Sequence, residues 1–207
     1  MLDDTKLSYK RLNEANLGRI ISRITEPILW IPLVLWLVMS KLRFAPGQTV
    51  NDFFVALFFF FIVPLGYALF VIFIKKTVDI DISDKNKRIK FASLPMSSFA
   101  IGVVISFFIN KQLFIIALAA FVSILALVAI TYHSKISYHS GLNALYFCII
   151  NYLYNWDFWW LFLILIPIGW GRLATKKHNI VQLVAGGLVS ALSFFALTYI
   201  FNNFLGW

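Results

Sequence analysis

"QLFIIALAAFVSILALVAITY", residues 112–132, decides the fold of this chain. The run carries no charge, no proline and no glycine, and a helix over it extends about 31 Å, the thickness of a bilayer's hydrocarbon core. A chain segment at that depth must satisfy its own backbone, which a helix does internally. Working outward, only "NKQ" parts this run from an apolar stretch at 94–110, and further stretches occupy 26–40, 52–74, 140–155, 157–171 and 179–201. Only "NWD" parts the fifth from the sixth, so both short gaps predict tight antiparallel hairpins. The expected fold is all-α, a polytopic helical membrane protein of about six to seven transmembrane helices.

Composition agrees. Of the 207 residues, 61% are hydrophobic and only 13% charged, which excludes an ordinary water-soluble domain. Trp and Tyr at 30, 36, 152, 154, 156, 159, 160, 170 and 207 fall mostly near span ends, where amphipathic rings anchor. The first 25 residues carry charges of both signs and no short apolar core, so no cleavable leader is expected. Leu12, Leu17, Ile20, Ile21 and Ile24 recur there at loose helical spacing. Residues 1–25 are accordingly expected to form an amphipathic helix on the membrane surface, and 26–207 the transmembrane domain.

The formal net charge of +9 would suggest a nucleic-acid partner in a soluble protein. Here the cations fill the gaps between spans. Alternating the sides puts Lys41, Arg43 and Lys111 on one face and the other fifteen Lys and Arg on the opposite one. That asymmetry predicts a cytoplasmic N-terminus, seven spans and no nucleic-acid partner. The expected location is the plasma (inner) membrane of a prokaryote, with lipids as the partners. The lone cysteine, Cys148, lies within an apolar run and reads as a small buried hydrophobe.

Carboxylates are scarce: of nine, only Asp157 lies beyond position 84. "DIDISD" at 79–84 supplies one half of a magnesium-diphosphate site and nothing later supplies the other. The site is therefore expected to use no metal and no cofactor. Transfer of phosphate from a lipid without metal needs a nucleophile, a proton for the leaving group and fixed cations on the non-bridging oxygens. Histidine fills the first two roles and arginine the third. On the basic face the chain has His139 and His178, Arg88 and Arg172, with Ser137, Lys135, Lys176 and Lys177 beside them. His178 precedes the last span, where a helix N-terminus favours an anion. Asn179 suits the cap, and Gln182 shares the face of His178 if the helix starts early enough. His133 reads as a tolerated polar residue near the interface.

"GRLATKKHNIVQ" at 171–182 resembles the third motif of the type 2 phosphatidic acid phosphatase family, Ser-Arg-x5-His-x3-Asp, and "LVAGG" follows it. "ISYH" at 136–139 is similar to the second motif, Pro-Ser-Gly-His, and "DISDKNKRI" at 81–89 keeps the arginine of the first, Lys-x6-Arg-Pro. The resemblance covers roughly residues 79–190. It implies a bundle like that family's, His178 as the nucleophile forming a phosphohistidine, His139 as the acid, and Arg88, Arg172 and Ser137 as phosphate ligands, with Lys135 beside them. Supporting roles fall to Gln182, Asp81 and Lys85. Departures from the motifs are Asp81 for Lys, Ile89 and Ile136 for the prolines, Tyr138 for Gly, Gly171 for Ser and Gln182 for Asp. Lys85 or Lys135 is then the replacement cation, and Asp81 the holder of Arg88.

The expected function is a membrane lipid phosphate phosphatase, of polyprenyl phosphate, polyprenyl diphosphate or phosphatidate type, acting at the cytoplasmic face. The first alternative is a catalytically inactive relative that binds a lipid headgroup. The second is a membrane prenyltransferase, which Asp79, Asp81 and Asp84 resemble in its first acidic motif.

Overall fold

The computed structural model describes residues 2–42, 49–75 and 85–204, with side chains over 13–42, 50–71, 73–74 and 93–203. The described residues are helical throughout their regular structure, with no strand among them. Among the described residues nine α-helices follow one another: α1 (Leu2–Ile24), α2 (Pro27–Lys41), α3 (Thr49–Leu57), α4 (Val63–Lys75), α5 (Lys85–Ile109), α6 (Lys111–Thr131), α7 (Tyr138–Leu153), α8 (Leu165–Ala174) and α9 (Ile180–Phe204). A π-helical turn, Phe58–Ile62, joins α3 to α4, and a 3₁₀ segment, Trp159–Ile164, leads into α8. Four stretches among the described residues are long and apolar enough to cross a membrane, namely Asn13–Lys41, Val50–Val71, Lys111–Thr131 and Ile180–Asn203, consistent with an integral membrane protein. Ser93–Ile109 and Trp159–Ala174 are shorter apolar helices.

The gap before α6 is a one-residue cap. The Asn110 side chain accepts from the N–H groups of Gln112 and Leu113, at 2.8 and 3.1 Å, satisfying two donors that the helix cannot. At the other gap, Asn155 and Trp156 take left-handed φ of 49° and 68°. Asn151 ties that turn back to α7 by donating to Phe158 O at 3.2 Å.

α7 is the hub. It packs against α9, α2, α6 and α8, and Leu145, Cys148 and Ile149 join Val38 of α2, Leu113 of α6 and Phe194 of α9 in one core. At 16 residues it extends roughly 24 Å. Its short length and its buried Asn143 and Asn151 are tolerated because neighbouring helices, not lipid, surround it. A second core joins Leu35, Ala56, Phe60, Val103 and Ala117 from α2, α3, the π-turn, α5 and α6. The π-turn loosens the Phe59 carbonyl from the helical ladder, and Ser98 of α5 donates to it at 2.6 Å.

α1 is helical, as its spacing predicts, and packs on α8 through small residues. Gly18 backs onto Gly171 and Ala174, and the Ser22 hydroxyl faces Gly171. The apolar stripe Leu17, Ile20 and Ile24 points outward instead. Small residues let helix backbones approach, so they take the inner face here and leave the large apolar side chains outside.

Candidate functional site

The local structure at 172–182 explains why its side chains converge. α8 ends at Ala174, and the Lys176 N–H donates to Leu173 O at 2.9 Å while the Lys177 N–H donates to Arg172 O at 3.1 Å. These two bonds make a Schellman ending, which needs a left-handed residue after the cap. Lys176 takes that position, with φ 55°, where glycine is usual. Three residues on, Asn179 and Gln182 form a reciprocal capping box: the Gln182 N–H donates to Asn179 Oδ1 at 2.9 Å, and the Asn179 N–H to Gln182 Oε1 at 3.3 Å.

Gln182 Oε1 also lies 3.1 Å from His178 Nδ1. An amide oxygen only accepts, so Nδ1 carries the hydrogen and, in the neutral ring, Nε2 keeps its lone pair. The ring is thereby oriented through Nδ1 with nucleophilic character at Nε2.

His178 borders an open cavity of about 750 Å³ at this end of the bundle, lined also by Lys135, Lys176, Lys177, Asn179 and Gln182, with Leu173, Ile180 and Val181 as its apolar part. The Lys135 ammonium donates to Lys177 O at 2.8 Å, bridging the α6–α7 loop to the α8–α9 loop. Ile180 and Val181 start α9, and N–H groups at those positions have no intrahelical acceptor. Three ammonium groups and a helix N-terminus together suit an anion.

Three of the residues singled out in the sequence, His178, Gln182 and Lys135, thus meet at this cavity. Ser137 stands beside it as a structural link. Its hydroxyl is fully buried and accepts from the Ser140 N–H at 3.3 Å as the N-cap of α7, and its own N–H donates to Gln182 O at 3.2 Å. Arg172 is buried on α8 and is not among the cavity's lining residues. His139 is buried on α7 and turned to the α1–α2 junction: Nε2 lies 3.0 Å from Thr25 Oγ1 and Nδ1 3.7 Å from a Glu26 carboxylate oxygen. The roles assigned to Asp81, Lys85 and Arg88 fall outside the described residues, since 76–84 and the side chains of 85–92 are not among them. The acidic cluster at 79–84 lies there too. Among the described residues, no group of three or more His, Cys, Asp or Glu is placed to hold a metal.

Lys176 and Lys177, expected from the sequence to hold a negative charge beside His178, line the cavity. Their signal was the chain position just after α8, where a left-handed lysine must turn the backbone. Glu26 was missed altogether, because its partner is more than a hundred residues away. Comparisons with protein families, with curated proteins and with solved structures yield no match.

Proposed function

We propose that this chain is a polytopic membrane enzyme of seven spans that releases phosphate from a lipid phosphate or diphosphate at the cytoplasmic face of a prokaryotic plasma membrane. The observation that carries this reading is His178, held through Nδ1 by Gln182, in a cavity bordered by Lys135, Lys176 and Lys177. The resemblance to the type 2 phosphatidic acid phosphatases supports the same role for His178.

In the proposed reaction the phosphate sits against the lysines and the first turn of α9, and Nε2 attacks phosphorus. The N–P bond forms as the P–O bond to the lipid breaks, and the lipid oxygen takes a proton. Water then attacks phosphorus, the N–P bond breaks, and phosphate leaves with His178 restored. The resemblance gives the leaving-group proton to His139. With that ring turned to Thr25 and Glu26, a lysine ammonium or a water in the cavity takes over the task in this arrangement.

The test is phosphate release by the detergent-purified protein, with EDTA present, from polyprenyl phosphate, polyprenyl diphosphate and phosphatidate. Release unaffected by EDTA is expected; no release from any of them by folded protein would overturn the reading. Headgroup binding without turnover is the second reading, favoured by the amide of Gln182 where a carboxylate would better stabilise a charged imidazole. It predicts saturable binding of the same lipids and no phosphate.

Lys176→Gly separates the two jobs of that residue. Removing a side chain from a left-handed position is expected to stabilise the fold by about 0.5–1 kcal/mol, read from thermal unfolding. Losing one exposed ammonium is expected to raise KM roughly fivefold at low salt, an effect that fades as ionic strength rises.

A further inference from the structure

The buried His139 has a hydrogen-bonding environment that constrains its protons. The Thr25 hydroxyl donates to Ile21 O at 2.8 Å, one helical turn back. A hydroxyl has one hydrogen, so at His139 Nε2, 3.0 Å away, Thr25 Oγ1 acts as the acceptor and Nε2 is the donor. The other nitrogen, Nδ1, faces Glu26 at 3.7 Å. In a neutral ring with its hydrogen on Nε2, the bare Nδ1 lone pair would point at a carboxylate. A second hydrogen turns that repulsion into an ion pair.

We propose that His139 is a stored proton: Glu26 and Thr25 hold it as an imidazolium, and the charge pair fastens the α1–α2 junction to the first turn of α7. Glu26 is the positioning residue in this arrangement. Asn143 adds a neutral tie to the same junction, donating to Thr25 O at 3.1 Å and to His139 O at 2.7 Å. The fastening reaches the cavity through Ser137 and Ser140, which bind Gln182 O and Leu183 O in the first turn of α9.

Among the residues whose side chains are described, the other charged groups on the packed elements stand apart from this junction or are exposed, Glu14 of α1 among them. On α1, Arg19 and Arg23 are exposed; α2 carries only Lys41, at its far end; α6 carries only Lys111, at its far end; α9 has none. α8 brings the buried Arg172, and Tyr146 of α7 lies within electrostatic reach of Glu26. Glu26 is the carboxylate that stands against His139 Nδ1.

The experiment needs no turnover, so its failure is separate from any failure of the phosphatase reading. His133→Gln together with His178→Gln leaves His139 as the one imidazole, and ¹⁵N NMR of the ring in detergent then reports its protons. Two protonated nitrogens at pH 7 are expected, with one proton lost on adding Glu26→Gln. A neutral ring at pH 7 in the chain that retains Glu26, with Thr25 donating to Nε2 and the hydrogen on Nδ1, would overturn the proposal. Should Glu26→Gln fail to fold, Thr25→Val provides the second check, since it removes the Nε2 acceptor and is expected to leave the ring with both protons, the Nδ1 hydrogen still facing the Glu26 carboxylate; a ring that loses its Nδ1 proton in that variant also overturns it.

Discussion

Replacing His178 with alanine is expected to lower phosphate release by at least about 10³-fold, because the variant loses the atom that would bond to phosphorus. The fold should survive. His178 is half-buried in a loop, and the capping box of Asn179 and Gln182 closes without it. Gln182→Ala is the informative comparison: it removes the partner of Nδ1 and half of the cap but leaves the nucleophile, so a loss of about 10- to 100-fold is expected. A His178→Ala protein that unfolds like the parent and releases phosphate at a comparable rate would show that no phosphohistidine forms. If Gln182→Ala proved as damaging as His178→Ala, the amide would be doing more than orienting the ring. Circular dichroism of each variant in the same detergent guards against reading a misfolded protein as an inactive one.

The helices were legible because a bilayer makes each span a local problem. The run read at 112–132 is α6 at 111–131, and the stretch read at 179–201 is α9 at 180–204, since charge and length alone bound such segments. The pairing of His178 with Gln182 was legible from their spacing, though not its cause. The four-residue spacing was expected to pair them if the helix began early enough; α9 begins only at Ile180, and the 3.1 Å contact forms because the capping box turns the Gln182 amide back toward the residues before the helix.

Arg172 was less legible. Six residues before His178 in sequence, it belongs to a different element, separated by the backbone reversal at Lys176, so its burial on α8 does not follow from the motif spacing. His139 differs from Ser137 by two helical residues, about 200° of rotation. Ser137 and Ser140 face α9, and His139 between them faces α1. Reading "ISYH" as one cluster treated a helix start as though it pointed one way. The small residues at 186–187 were likewise read only as part of a motif, whereas their position is set by how closely two helices cross.

That crossing yields the largest expected effect on stability. A β-carbon at Gly186 would collide with the Ser137 carbonyl and press on the Gly141 backbone, and the Gly141 position in turn crowds Leu127 and Ser190. Backbone atoms at the start of α7 cannot swing aside as a flexible side chain can, so α7 and α9 must separate. Gly186→Ala is expected to destabilise the protein by about 2–3 kcal/mol, at the upper end for overpacking, despite alanine's better helix propensity. Gly187→Ala is the internal control: its β-carbon would meet Ser140 Oγ at 3.7 Å and Ala144 Cβ at 3.8 Å, ordinary contacts, so propensity should stabilise it slightly. Thermal unfolding of the two variants in one detergent makes the comparison, and equal midpoints would refute the close crossing. The same displacement would pull the Ser137 N–H from Gln182 O. Activity of Gly186→Ala should therefore fall even at temperatures where the variant remains folded, because the residue that orients His178 sits on the turn that must move.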